Sequence, residues 1–390
     1  MKKLKSCGVI VEYNPLHNGH CYHLQQARQL SGADVIVAVM SGQFVQRGEP
    51  ALLDKQIRTR LALQAGVDLV VELPWFGAVQ SADYFARTSI QLLQALHVDA
   101  FCFGSDGSKS FDYMAFALKE REQKATLDTI YQRIRQQHPN WSYAKTLQES
   151  YEVLSPGEAL DLAQPNHILG LSYARYNLDY AHPMTIYTVQ RHGAQHNDCA
   201  LQSFASGTAI RQALFAQEQT KIQSSLPSFT YEAVQSFPLH SWTSYFSLLK
   251  GQCLTKSPDE LRQIYQMVDG LEYKIKKQTF LAHSMPEWVM ALKSKRYSYA
   301  RLQRLGTYLL TNTTADEMHW ALGHPYLRIL GFNAQGRAYL HQTEADLPVV
   351  TNIRQQNERA LMNEQKWDGL YLSATQDEAQ FMKTYHPISI

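Results

Sequence analysis

The chain has 390 residues, 45% hydrophobic and 18% charged, enough apolar material for a large core, which excludes a disordered, collagen-like or mucin-like chain. Thirty-seven Lys and Arg against 35 Asp and Glu leave a formal net charge of +2, so overall charge decides nothing about a polyanionic partner. Five scattered cysteines without a C-x-x-C pair argue against a disulfide framework and a structural zinc site.

Lys2, Lys3 and Lys5 precede an apolar run, Cys7 to Val11, but Glu12 interrupts it and no small-residue cleavage site follows. No apolar stretch approaches the ~20 residues that cross a bilayer. The expectation is a cytoplasmic protein with no membrane partner. β-Branched runs then alternate with helical patterns: Gly8 to Glu12 before Cys21 to Leu30, Val35 to Met40 before Leu53 to Ala65, Leu69 to Leu73 before Ser81 to Leu96, and then Ala100 to Phe103. Near-continuous apolar strands are buried on both faces, which predicts a Rossmann-like α/β domain, a parallel sheet with helices on each side. A polar helical stretch over about 111–163 reads as an insertion. A helix near His167 to Asn177, a strand at Met184 to Val189 and a helix from Gly207 would close this domain, residues 1–224. From Ser225 aromatic and long polar residues recur at helical spacing, so 225–330 reads as a mainly helical C-terminal domain. Leu330-Gly331-Phe332 reads as a break before a small α/β end piece, 331–390.

The strongest chemical signal is Glu12-Tyr13-Asn14-Pro15-Leu16-His17-Asn18-Gly19-His20, where the first strand ends and the first helix begins. A helix N-terminus offers unpaired N–H groups and the positive end of its dipole, and Gly19 permits close approach. Two histidines beside it can donate to phosphate oxygens and stabilise charge that builds when an α-phosphorus is attacked. His17-x-Gly-His20 resembles the signature of adenylyl-transferring Rossmann enzymes. Ser206-Gly-Thr208-Ala-Ile-Arg211 opens a later helix and resembles the Ser-x-Thr-x-x-Arg segment of the same superfamily, although an ordinary N-cap reads identically. Gly104 ends the fourth strand, where the carboxyl edge of a sheet faces a nucleotide crevice. Asn166, before a helix, and Arg191, after a strand, are placed to reach it. Arg47 and Lys55, after the second strand, belong to the same rim and are candidates for phosphate, acetate or RNA.

Taken together, Val9 to His20, Met40 to Pro50, Leu69 to Pro74, Phe103 to Ser105 and Pro165 to Gly170 resemble the bacterial tRNA(Met) cytidine acetate ligase family, within the HxGH nucleotidyltransferase-like superfamily, over essentially the whole chain. The resemblance implies an enzyme that uses ATP, with Mg2+ and no tightly bound cofactor, to activate acetate as acetyl-adenylate. The acetyl group then passes to the exocyclic amine of the wobble cytidine of elongator tRNA(Met). It also implies an ATP site made of Ile10, Val11, Glu12, Tyr13, Asn14, Pro15, Leu16, His17, Asn18, Gly19, His20, Cys21, Tyr22 and His23, with Gly104, Asn166 and Arg191. His17 and His20 are the catalytic candidates, and no resident metal is expected.

An RNA partner needs local positive charge. Between Leu271 and Arg304 stand eight basic residues, Lys274, Lys276, Lys277, Lys293, Lys295, Arg296, Arg301 and Arg304, against two acids, with aromatics interleaved. Phosphate contacts and stacking under unpaired bases suit such a segment. Two other functions stay open at this level: a small-molecule adenylyltransferase, which would leave the basic extension without a role, and a non-catalytic RNA-binding protein.

Overall fold

In a computed structural model, which describes residues 3–105, 111–157, 161, 164–190, 205–351, 358–374 and 386–390, the apolar runs form strands β1 (Ser6–Val11), β2 (Val35–Ser41), β3 (Leu69–Leu73), β4 (Ala100–Ser105) and β5 (Thr185–Gln190). They lie in the order β5-β4-β1-β2-β3, each parallel to its neighbour. The period of two along a strand divides the core. Val35, Val37 and Val39 face a layer that includes the helices Ala82–Ala95 and Pro165–Asn177. Ile36, Ala38 and Met40 face the helices Asn18–Ser31, Lys55–Gln64 and Gly207–Phe215. Helices Tyr113–Glu122, Lys124–Gln137 and Tyr143–Leu154 follow β4 and meet the helix Pro165–Asn177, where Arg175 binds Glu120 through Nε (2.7 Å) and Nη2 (2.6 Å). Among the described residues no helix is long and apolar enough to cross a membrane.

The C-terminal segment departs from the expected separate end piece. Strand β6 (Leu327–Phe332) pairs antiparallel with β3, and β7 (Val349–Val350) and β8 (Ile388–Ser389) pair parallel with β6. One sheet therefore carries both ends of the chain, and among its described strand pairs only β3 with β6 is antiparallel. The sequence reading took Gly331 for a break, but it lies within a strand. A Cβ there would meet Thr59 Cγ2 at 2.7 Å and Ile388 O at 3.0 Å, so the glycine permits close packing on both sides.

The helices between Trp242 and Gly323 build a third core, around Trp288, Tyr245 and Tyr308. Trp288 is fully buried and donates from Nε1 to Thr279 Oγ1 at 2.7 Å. Phe44, Trp75 and Phe76 from the sheet side and Trp367 and Tyr371 from the helix Glu358–Ser373 belong to the same cluster.

A buried ionic cluster joins these parts. Lys55 Nζ lies 2.7 Å from Glu72 Oε1, 2.7 Å from Asp368 Oδ1 and 3.8 Å from Glu364 Oε2. Arg328 Nε lies 3.4 Å from Glu72 Oε2. Lys55 thus corrects the expectation of a phosphate or acetate contact: it opens the helix after β2, but three carboxylates draw its side chain into the interior. Those carboxylates stand as close together as metal ligands do, and the ammonium and guanidinium supply the balancing charge. Three acids against two bases leave one negative charge in excess. Burial, with Glu72 alongside, pushes the Glu364 carboxyl up from 4.5 to about 8, and Tyr326 donates to its Oε1 at 2.7 Å.

A raised acid in the native state holds a proton that the unfolded chain has released, so its stabilising contribution fades as pH rises from 4.5 toward 8. Glu364→Gln keeps the neutral form at every pH. Its urea midpoint is expected to match the parent near about pH 4 and to exceed it near about pH 9; parallel pH profiles for the two proteins would contradict the assignment.

Candidate active site

The helices that follow β1 and β4 pack on opposite faces of the sheet, so a crevice opens between the carboxyl ends of these two adjacent strands. It is a cleft of about 660 Å³. Of the residues expected there, Ile10, Val11, Glu12, Tyr13, Asn14, His17, Gly19, His20, Tyr22, His23, Gly104 and Asn166 line it. Arg47, Ser206, Thr208 and Arg211 line it as well. Pro15, Leu16, Asn18 and Cys21 do not. Leu16 is fully buried in the core behind the turn, Cys21 packs against that core, and Asn18 donates to Ser224 O at 2.8 Å. Gln190, the last residue of β5, reaches the cleft, and Arg191, expected next to it, lies outside the described residues.

At the end of β1 the backbone turns sharply: buried Tyr13 has φ 48°, a left-handed conformation that costs energy for a residue with a Cβ. This turn delivers His17 to the N-cap of the helix Asn18–Ser31 in an extended conformation. The His17 backbone N–H donates to His20 Nδ1 at 3.2 Å. With Nδ1 accepting, the proton of the neutral His20 ring sits on Nε2, which makes that atom the donor. The two imidazoles stack with centroids 3.7 Å apart, and the Tyr13 ring meets His20 edge-on at 5.1 Å. No acidic residue stands in the first helical turn, so no carboxylate offsets the positive end of its dipole, while the His20 N–H turns back to His17 O at 2.8 Å.

A second helix start converges on the same space. Ser206 Oγ accepts from Ala209 N–H at 3.2 Å and caps the helix Gly207–Phe215, which also lacks an acidic first turn. A Cβ on Gly207 would lie 3.0 Å from Asn14 O, so the small residue allows the helix start to touch the turn after β1. Arg211 bridges three parts of the wall, donating to Asn14 O at 2.8 Å and to Glu49 Oε2 at 2.9 Å. Glu12 Oε1 accepts from Gln46 N–H at 2.8 Å, and desolvation raises its carboxyl above the usual range. Behind this wall, fully buried Arg58 donates to the carbonyls of Leu53 (2.9 Å), Glu12 (2.8 Å), Ser41 (2.9 Å) and Gly42. It ties the carboxyl ends of β1 and β2 together.

The sequence reading missed the apolar wall formed by Phe85, Phe103, Ile168, Leu169, Tyr173 and Val189. One signal was present in Gly170, where a Cβ would strike the rings of Phe103 and Tyr113 at 2.6 Å. Tyr113 in turn fixes the start of the helix that carries Asn166, its hydroxyl lying 2.8 Å from His167 Nδ1 and 2.9 Å from Ser105 Oγ.

The basic segment divides. Lys277, Lys293, Lys295 and Arg296 are exposed. Lys274 Nζ donates to Leu292 O at 3.1 Å, and Lys276 Nζ to Leu254 O at 3.1 Å and to Lys256 O, which closes helix C-termini within the chain. Arg301 is half-buried, its guanidinium 5.0 Å from the Tyr297 ring. Arg304 corrects the expectation of a surface contact: it is 8% exposed, because it stands on the inner side of the helix Tyr299–Leu310.

The family model described as HIGH Nucleotidyl Transferase matches residues 4–385. A tRNA(Met) cytidine acetate ligase of Latilactobacillus sakei is 42% identical over 358 residues, covering 90% of this chain and 88% of that protein. The ligase of the same name from Oceanobacillus iheyensis is 38% identical over 382 residues, 95% of each chain. The apo crystal structure of Thermotoga maritima TmcAL superposes with a TM-score of 0.86 at 28% identity, over 99% of this chain and 100% of that one. The same protein bound with alpha-thio ATP gives 0.85 at the same identity and coverage.

The cleft's outer lip, the loop after β2, depends on Gly48, whose φ is 80° and whose Cβ would lie 2.7 Å from Arg304 Cα. Gly48→Ala is expected to destabilise by more than about 1 kcal/mol, since both conformation and space oppose it. A urea midpoint unchanged from the parent would show that the lip is not pinned there.

Proposed function

The chain belongs to the tRNA(Met) cytidine acetate ligase family of HIGH nucleotidyl transferases, and from that membership we propose that it forms acetyl-adenylate from acetate and ATP. It then acetylates N4 of the wobble cytidine in elongator tRNA(Met). The observation that carries this reading is the convergence of the His17/His20 pair, two helix N-termini and Arg211 on one crevice at the end of β1. All are donors or positive ends, and none is a nucleophile.

That inventory suits the chemistry. In the first step an acetate oxygen attacks the α-phosphorus and pyrophosphate leaves with the electrons of the broken P–O bond. The protein has to align the two anions and offset their charge. His20 Nε2–H and the helix start at Asn18 are assigned to the α-phosphate, and Arg211, with the helix start at Gly207, to the departing phosphates. Mg2+ would enter as part of the nucleotide substrate, and Glu12, whose carboxyl has no ion pair among the described residues, is the cleft acid that would meet such an oxygen-seeking ion. In the second step the cytidine amine attacks the acetyl carbonyl, the C–O bond to AMP breaks, and the amine loses a proton. The apolar wall of Phe85, Phe103 and Tyr173 suits the exclusion of water from the mixed anhydride. Arg191 is assigned to the nucleotide from the family resemblance alone, and the exposed Lys277, Lys293, Lys295 and Arg296 to RNA phosphates.

ATP–pyrophosphate exchange tests the reading. Stimulation by acetate, together with mass spectrometry that finds N4-acetylcytidine in tRNA treated with enzyme, acetate and ATP, is the expected result. Exchange stimulated only by a phosphorylated metabolite would favour a small-molecule adenylyltransferase, and no exchange under any condition a non-catalytic RNA-binding protein. His20→Ala is expected to slow acetate-dependent exchange by ~10²-fold, the usual loss for one transition-state donor; exchange at the parental rate would remove His20 from the chemistry. Arg211→Met should raise the KM for ATP about tenfold, as for a lost charge-assisted hydrogen bond, and an unchanged KM would leave Arg211 a purely structural bridge.

A further inference from the structure

Arg301 and Arg304 stand one turn apart on the helix Tyr299–Leu310. The Arg304 side chain makes no hydrogen bond or ion pair among the described residues, and its buried Nε has no partner. The charged groups that act on it are Arg301 and Arg47, both cations; the others are the Tyr308 and Tyr265 hydroxyls. Burial and these cations push its pKa below the usual guanidinium range. Removing a charge from water without a partner costs several kcal/mol. The arrangement is nonetheless rigidly built. Gln303 Nε2 donates to Arg47 O at 3.1 Å, and Thr307 Oγ1 and Trp242 Nε1 donate to Gly48 O at 2.8 and 3.1 Å. These bonds hold the loop bearing Arg47, a cleft residue, against the helix bearing the other two. The carboxylate on that loop, Glu49, is taken by Arg211.

We propose that Arg47, Arg301 and Arg304 form a phosphate subsite beside the nucleotide cleft, separate from the histidine cradle, and that it takes a phosphodiester of the RNA next to the modified cytidine. The site stands on its own geometry, whereas the RNA source rests on the function proposed above. Guanidinium forks match phosphate oxygens. Positive charge also continues outward from Arg301: Tyr297 lies between Arg301 and Arg296, 5.0 and 5.7 Å from their guanidinium carbons, with Lys295 and Lys293 exposed beyond. A polymer crossing the rim would use such a track; a mononucleotide in the cleft would not.

Thermal melts with inorganic phosphate as the probe test the site. Arg304→Met is expected to melt higher than the parent in phosphate-free buffer and to lose most of the phosphate-induced rise. The histidine cradle is intact in both proteins, so the difference between them reports the subsite. Equal phosphate shifts in the parent, Arg304→Met and Arg301→Ala would overturn it. Should Arg304→Met not fold, Arg301→Ala, at a half-buried position, carries the same measurement. Fluorescence anisotropy with tRNA then reads the source. A phosphodiester predicts at least about a tenfold loss of affinity for Arg301→Ala, and a slope of log affinity against log salt shallower by about 0.7 to 0.9. A raised KM for ATP with tRNA affinity intact would assign the phosphate to the nucleotide and overturn the RNA assignment. A parent enzyme that acetylates no tRNA would refute the proposed function, while the melts would still decide the site.

Discussion

Burying the ammonium of Lys55 is the constraint around which the molecule is arranged. An ion removed from water on this scale must be met by carboxylates held in place, and Glu72, Glu364 and Asp368 come from β3 and from the helix Glu358–Ser373. The C-terminal helix therefore has to return to the first half of the sheet. With it comes β6, which places Arg328 on the same acids and converts the outer edge of β3 into a paired one. Lys55 also opens the helix that follows the cleft's lip, so the ionic centre and the lip share one short stretch of backbone.

Two buried arginines show how the same demand is met differently. Arg58 spends its donors on four backbone carbonyls, a neutral solution that fixes the ends of β1 and β2 and hence the floor of the cleft. Arg304 has nothing comparable among the described residues. The contrast within one fold, between two buried guanidinium groups, makes the Arg304 environment read as incomplete. A structural guanidinium is satisfied by the chain itself; one that recognises a ligand keeps donors in reserve.

The cleft joins three layers of the molecule. Its floor is sheet, its back wall is built by two helix starts, and its lip is held by the helical unit through the carbonyls of Arg47 and Gly48. The helical unit that offers basic side chains is thus bonded directly to the loop that lines the cleft.

Much of this was legible in the sequence. Strands β1 to β5 announced themselves through short runs rich in β-branched or aromatic residues, and His17, Gly19 and His20 through their position at a strand-to-helix turn. Both signals are local, written within a few residues and governed by backbone geometry. The direction of a charged side chain is not local. Lys55 reads as a rim residue until Asp368, 313 positions away, is found beside it. Arg304 counts as one more basic surface residue until the packing of its helix turns it inward. Gly331 looks like a break, and only the approach of Thr59 and Ile388 shows why a strand needs it. The sequence by itself determined the parallel core and the strand-to-helix turn that carries His17 and His20, because period and turn chemistry act over short spans. Tertiary structure alone decided which charges are buried, which face the cleft and how the chain's end joins the sheet, because desolvation depends on neighbours that come from distant parts of the chain.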